Sequence, residues 1–216
     1  NEKNVSVSII GNGGMEEGIV FESINLAAVM NLPTLFICEN NLYSTHTNIK
    51  ETSTSKYVSN KIKPYGIKTF LIEKQNVNKV YEVLKKSFNY IRKEQKPVFI
   101  EIMTYRFNGH VGPEGDDHFN YRSKSELSKW IKNDPMNEME KIIAKSKTNT
   151  KNLKANFLKK INKEINDSFK YALKSPFPKN STSYNLNSTY SKIVKKFHNN
   201  NIAFKTYQEG HKPKPY

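Results

Sequence analysis

Four short apolar runs separated by segments of helical period constrain this chain more than any other feature. Residues 5–10 form a β-rich run ended by GNGG, and residues 16–30 carry Ile19, Val20, Ile24, Ala27, Ala28 and Met30 at helical spacing. Leu32-Pro33 breaks that helix, and TLFIC follows as a continuous apolar run of the kind buried on both faces of a parallel sheet. Residues 69–72 and 98–103 read as a third and a fourth strand. Between them, residues 76–93 set Val77, Val80, Tyr81, Leu84, Phe88 and Ile91 on one helical face, with Lys and Glu opposite. Strands alternating with helices at this spacing imply βαβ units. The expected fold is therefore α/β, a doubly wound, mainly parallel sheet with flanking helices.

Two long polar stretches interrupt the pattern, at residues 40–60 and 105–122, each long enough to be a functional loop. The second is closed by a helix whose start is marked by Ser123 with Glu126 three residues on, a capping box. Leu153, Phe157, Ile161, Ile165, Phe169 and Ala172 build a further long helix that SPFP stops. The expected organisation is an α/β domain over 1–150, a C-terminal helix over 151–178 packing on that domain, and a basic, flexible tail over 179–216.

The chain carries 35 Lys and Arg against 20 Asp and Glu, a formal +15. Residues 1–150 hold 21 basic and 17 acidic side chains, whereas residues 151–216 hold 14 and 3. Such a balance raises nucleic acid as a partner. Only Arg92, Arg106 and Arg122 are arginines, however, and the guanidinium fork is the group best suited to reading bases and phosphates. A solvated lysine surface is the better reading, with a basic nucleic-acid-interacting module as the weaker alternative. The single Cys38 forms no disulfide within the chain, and the first ten residues lack a signal peptide's apolar stretch. No apolar run approaches a membrane span, so the expected setting is cytoplasmic, without membrane. A start at Asn1, almost at once in a strand, reads as an N-terminally incomplete chain.

In an open α/β sheet, ligands bind beyond the carboxyl ends of the strands. Residues 11–14, 40–43 and 105–112 sit at such ends, and in a parallel sheet they converge on one rim. The first offers glycines that admit a ligand close to the backbone, followed by a helix whose N-terminal amides favour an anion. It is not G-x-G-x-x-G, since Glu16 stands at the last position, and Asn12-Gly13 alone could turn a hairpin. Helical rather than alternating period after it argues against the hairpin. The second segment supplies two amide side chains, oxygen ligands that suit Mg²⁺ held together with a phosphate.

The stretch GNGGMEEGIVFESINLAAVMNLPTLFICENNLYSTHT resembles the thiamine diphosphate motif of the alpha subunit of the 2-oxoacid dehydrogenase decarboxylating component, the pyruvate, branched-chain and acetoin dehydrogenase group. That motif is Gly-Asp-Gly, some two dozen residues, then Asn-Asn; here 26 residues separate Gly13 from Asn40. The likeness continues through KPYGI, TYRFNGH, NYR, KNDP and SPFP. It implies a thiamine diphosphate-binding fold with Asn12, Asn41 and the Tyr43 carbonyl on Mg²⁺. Gly11, Gly13 and Gly14 would lie at the diphosphate, and His110 at the cofactor and the acyl group. Tyr105, Arg106, Tyr121 and Arg122 would order the loop around His110. Glu17, Phe21, Glu22 and Asn25 match the pattern as packing or subunit-contact residues. The resemblance also implies a beta subunit supplying the pyrimidine-binding domain and the activating glutamate, a heterotetramer, and a lipoyl-bearing acyltransferase as acceptor.

Two departures stand out. The family's metal-binding aspartate is Asn12 here, which brings oxygen but no charge, and the segment that precedes the motif in the family is missing. Together they support a second reading, a degenerate, non-catalytic alpha-like subunit. Val111 stands where mitochondrial pyruvate enzymes carry a regulatory serine, so phosphate control at that position is excluded. Cys38 reads as a core thiol, Trp130 as a packing anchor, and Asp116-Asp117 as solvated turn residues. His46, His118, His198 and His211 have no metal spacing and read as surface histidines.

Overall fold

A computed structural model describes residues 4–111, 115–145 and 150–176. Contacts divide the chain into one unit up to Thr150 and a second from Lys151 onward. In the first unit, β1 (Ser6–Gly11), β2 (Thr34–Asn40), β6 (Val98–Met103) and β5 (Lys68–Ile72) form one sheet in that order, every pair parallel. A two-residue hairpin, β3 (Tyr43–Ser44) with β4 (Thr47–Asn48), stands apart from it.

The central strands are apolar on both faces because both are covered. Phe36, Cys38 and Phe99 point into one core with Met15, Ile24 and Ala27, Ile24 and Ala27 coming from α1 (Gly18–Val29). Ile49 of α2 (Ile49–Thr52) and Ile62 of α3 (Ser59–Ile62) join them. Leu35, Ile37, Val98 and Ile100 point the other way, into a core completed by Ile72 and by Val83 and Ile91 of α4 (Val77–Glu94). The doubly wound parallel architecture is thus present. Its driving force is large: burying one Leu, Ile or Phe side chain contributes about 1.5–3 kcal/mol.

The seam of α4 is shifted from the one expected. Val80, Val83, Leu84, Phe88 and Ile91 pack inward, while Val77 and Tyr81 are exposed. Asn76 caps the helix by accepting the Lys79 N–H, so Val77 opens the first turn, at the edge of the core. The 40–60 stretch holds more order than its composition suggested. Asn48 and Glu51 form a full capping box at α2. Helix α5 (Lys124–Lys132) follows the second loop, and α6 (Pro135–Lys145) was not foreseen; Asp134 starts it by accepting the Met136 N–H.

The second unit contains α7 (Thr150–Lys174), which ends before Ser175-Pro176 as the sequence required. The proposed tail at 179–216 lies outside the described residues. Among the described residues, no helix is long and apolar enough to cross a membrane.

Candidate functional site

β1, β2 and β6 run parallel and end at Gly11, Asn40 and Met103, so the turns that follow them leave one rim of the sheet. Hydrogen bonds sew these turns together. Asn12, 3% exposed, accepts the Asn41 N–H on Oδ1 at 3.2 Å. Asn41 in turn accepts the Tyr43 N–H on its own Oδ1 at 3.0 Å, and Asn40 accepts that of Leu42 at 3.0 Å. These are Asx turns, in which a short amide side chain closes the backbone two residues on. Leu42 and Thr45 take positive φ, 72° and 53°. Gly13 packs so tightly on the second turn that a Cβ there would lie 2.5 Å from Ser44 Oγ. Its own φ of −65° opens a one-turn 3-10 segment, not a hairpin.

The second turn is anchored from beneath. Glu101, wholly buried on β6, accepts from Asn40 Nδ2 at 2.7 Å, Val58 N–H at 3.0 Å and Ser59 N–H at 2.7 Å. One carboxylate therefore grips the 41–59 loop at both ends. The sequence held a signal for it, a lone charge inside VFIEIM, since an unpaired charge is not tolerated in a doubly covered strand.

The third turn joins the second through Arg106, whose Nη2 donates to the Thr45 carbonyl at 2.9 Å. Arg106 Nη1 lies 3.2 Å from His110 Nδ1. A guanidinium only donates, so Nδ1 accepts, the ring proton sits on Nε2, and Nε2–H is the outward donor. Asp116, expected as a solvated turn residue, is instead buried at the centre of this segment. It accepts the His110 N–H at 3.1 Å, the Tyr121 hydroxyl at 2.9 Å and Arg122 Nη2 at 3.1 Å. Burial alone would raise its carboxyl; the donors from Tyr121, His110 and Arg122 outweigh that and hold it below the usual carboxylate range. Arg122 also donates to the carbonyls of Arg106 and Phe107. Tyr121, Arg106 and Arg122 thus order the His110 loop as the resemblance implied. His46, expected at the surface, keeps 36% of its side chain exposed there, while its Nε2 lies 3.5 Å from Asp116 Oδ2. The Asp116 cluster was missed because its donors, though within six residues, meet only once the loop folds; the His46 contact was missed because it joins two segments remote in sequence.

Glu126 ties the second and third turns from α5. Its carboxylate accepts the Tyr43 hydroxyl at 2.9 Å and the Tyr105 hydroxyl at 2.9 Å. Burial, then this hydrogen bond, pushes the Tyr43 phenol up to about 12 and raises that of Tyr105. The expected capping box is consequently only half formed: Ser123 Oγ accepts the Glu126 N–H, but the Glu126 side chain is taken by the two phenols. Trp130 stacks on Tyr105 at 5.1 Å between centroids, the packing role foreseen for it. Cys38 is a buried core thiol, which burial holds protonated.

Asn12 Oδ1, Asn41 Oδ1 and the Tyr43 carbonyl are oxygens of the kind that could serve a hard cation such as Mg²⁺, since each amide oxygen keeps a second lone pair beside the bond it already accepts. Arg106 Nε, four residues before His110, is buried and without a hydrogen-bond partner among the described residues, a spare donor in the third turn. Groups of three or more His, Cys, Asp or Glu suited to a metal do not occur among the described residues. A broad open cleft lined by Gln75, Asn76, Lys79, Lys132 and Glu138 lies beside β5, and none of Asn12, Asn41, Tyr43 or His110 lines it.

Residues 1–181 match the family described as dehydrogenase E1 component. The chain is 31% identical over 193 residues to a pyruvate dehydrogenase E1 component subunit alpha of Rickettsia bellii, covering 88% of this chain and 56% of that one. It is 34% identical over 145 residues to a mitochondrial 2-oxoisovalerate dehydrogenase subunit alpha of Arabidopsis thaliana, covering 66% and 30%. Among solved structures, transketolase from Leishmania mexicana aligns with 45% of this chain and 14% of its own, at 18% identity and a TM-score of 0.40. The chain spans about half the length of the pyruvate dehydrogenase alpha subunits that it matches.

Proposed function

The chain belongs to the dehydrogenase E1 component family, and from that premise we propose that it is the diphosphate-gripping part of an alpha-type subunit of a thiamine diphosphate-dependent 2-oxoacid dehydrogenase. The enzyme decarboxylates a pyruvate-like 2-oxo acid and passes the acyl group to a lipoyl carrier. The observation that carries this reading is the bonding of three separate turns into one rim, Asn41 to Asn12 and Arg106 to Thr45.

When bound, thiamine diphosphate supplies a nucleophilic carbon for the 2-oxo group and a sink for the electron pair left by CO₂. Asn12, Asn41 and the Tyr43 carbonyl hold Mg²⁺, and the backbone at Gly11, Gly13 and Gly14 takes the diphosphate. His110, its Nδ1 accepting from Arg106, presents Nε2–H as a donor that orients the acyl group for transfer. The partner is a beta subunit that completes the site in a heterotetramer. Supporting that need are exposed apolar side chains, Ile19, Leu26 and Val29 on α1 and Val7 and Ile9 on β1, an edge strand.

Calorimetric titration of the complex with its beta partner tests the proposal: thiamine diphosphate binds in the presence of Mg²⁺, and Asn41→Ala weakens it at least tenfold. No uptake with Mg²⁺ present overturns it and favours the second reading, a non-catalytic alpha-like subunit, for which the chargeless Asn12 speaks.

A further inference from the structure

His46 occupies the second turn three residues beyond Tyr43, and its imidazole, 36% exposed, is held on several sides. Nε2 faces Asp116 Oδ2 at 3.5 Å, the same oxygen that accepts the His110 N–H at 3.1 Å. The ring packs against Phe119 and Tyr121, each with centroids 4.7 Å away. Its neighbour Thr45 takes the other end of the histidine segment, accepting from Arg106 Nη2 at 2.9 Å while Arg106 Nη1 meets His110 Nδ1. Two consecutive residues of one turn therefore hold the segment at two points.

The backbone argues that this placement is selected. Thr45 is β-branched and sits at φ 53°, a conformation that such residues avoid. Strain of this kind persists where the surroundings over-determine it, and here the Thr45 carbonyl and the His46 ring are both engaged. Arg122 Nη2 approaches Asp116 Oδ1 at 3.1 Å, whereas Oδ2 is met by the Tyr121 hydroxyl at 2.9 Å, the His110 N–H at 3.1 Å and, from the second turn, His46 Nε2 at 3.5 Å, with Arg106 Nη2 farther off at 3.8 Å.

The geometry points to His46 as a positioning residue that fastens the His110 segment to the Asn41 turn through Asp116, keeping His110 beside the proposed metal site. The role deepens the reading of His110 given above and rests on it. Loop order, however, is measurable without cofactor or turnover, so failure of one is distinguishable from failure of the other.

The test is amide hydrogen exchange, resolved by NMR, on the full 216-residue chain. His46→Ala raises exchange of the His110 amide about tenfold, while amides of the central sheet such as Ile37 and Ile100 keep their rates. His46→Gln retains a side-chain donor able to reach Asp116 and restores protection to within about twofold of the wild type. His46→Asn, whose amide is too short to reach, behaves as His46→Ala and serves in its place should the alanine variant not fold. The proposal is overturned if His46→Ala leaves His110 protected, if His46→Gln opens the segment as far as His46→Ala does, or if the sheet amides accelerate in step with the loop.

Discussion

The Asn41 N–H donates to Asn12 Oδ1 at 3.2 Å, joining the residue after β1 to the residue after β2. The bond needs only an acceptor at position 12, so it does not require an amide there. Asn12→Asp preserves the acceptor, strengthens the bond by making it charge-assisted, and adds a negative charge to an otherwise neutral donor set. Mg²⁺-dependent binding of thiamine diphosphate should tighten by about tenfold or more, about 1.4 kcal/mol, in calorimetry on the complex. Equal affinities would sink the argument that charge is the missing ingredient.

Gly13 and Ser44 are the point of closest approach between the first two turns. A Cβ on Gly13 would meet Ser44 Oγ at 2.5 Å and Ser44 Cβ at 2.8 Å. Gly13 has an ordinary helical φ, so the cost of Gly13→Ala is steric rather than conformational, about 1–3 kcal/mol of stability. Ser44→Gly removes both offending atoms and should recover most of the loss in the double variant. Thermal unfolding of the four proteins in that cycle checks it, and the absence of recovery would place the clash elsewhere.

Glu101 offers two oxygens to three donors, Asn40 Nδ2 and the N–H groups of Val58 and Ser59. Glu101→Gln replaces one oxygen with an NH₂, leaving at least one buried donor facing another. The cost should be about 2–3 kcal/mol, read as a shift in the urea midpoint. Leu42 and Tyr43 amides should lose exchange protection first, because Asn40 fixes the start of that turn. A variant as stable as the wild type would mean that the loop is held by other contacts.

Asp116 makes the His110 loop sensitive to acid. Its carboxyl titrates lower in the folded protein than in the unfolded chain, where about 3.9 is usual. It therefore contributes stability that is fully present above about pH 4 and lost as pH falls through the lower, folded value. Exchange of the His110 amide, corrected for its intrinsic pH dependence, should rise below about pH 4. In Asp116→Asn the loop should already be looser at neutral pH and indifferent to acid over that range. An acid response that survives the substitution would assign it to another carboxylate.

How far the sequence disclosed this arrangement differs by residue. The parallel sheet and the meeting of three turns were legible because strand periodicity is local and a parallel sheet puts every strand's carboxyl end on one side. Asn12, Asn41 and Tyr43 were singled out through the resemblance, whose motif is two short elements at a fixed separation, and hydrogen bonds link Asn12 to Asn41 and Asn41 to Tyr43. Glu126 could not be assigned correctly: Ser-x-x-Glu carries a local meaning, and two phenols from remote segments outcompete it for the carboxylate. Asp116 was misjudged although its donors lie within six residues, because a polar, glycine-containing loop reads as solvated until its own fold gathers them; the contact of His46 with it joins segments remote in sequence. The shifted face of α4 is a smaller case, decided by where Asn76 starts the helix and not by the period itself.

The sole cysteine gives the chain a built-in clock. Cys38 lies in β2, its sulfur shut inside one core and its thiol kept from ionising. A soluble alkylating reagent can label it only in molecules whose central strands have come apart, so the pace of labelling under native conditions times the breathing of the whole scaffold that carries the rim, with no dye or engineered tag.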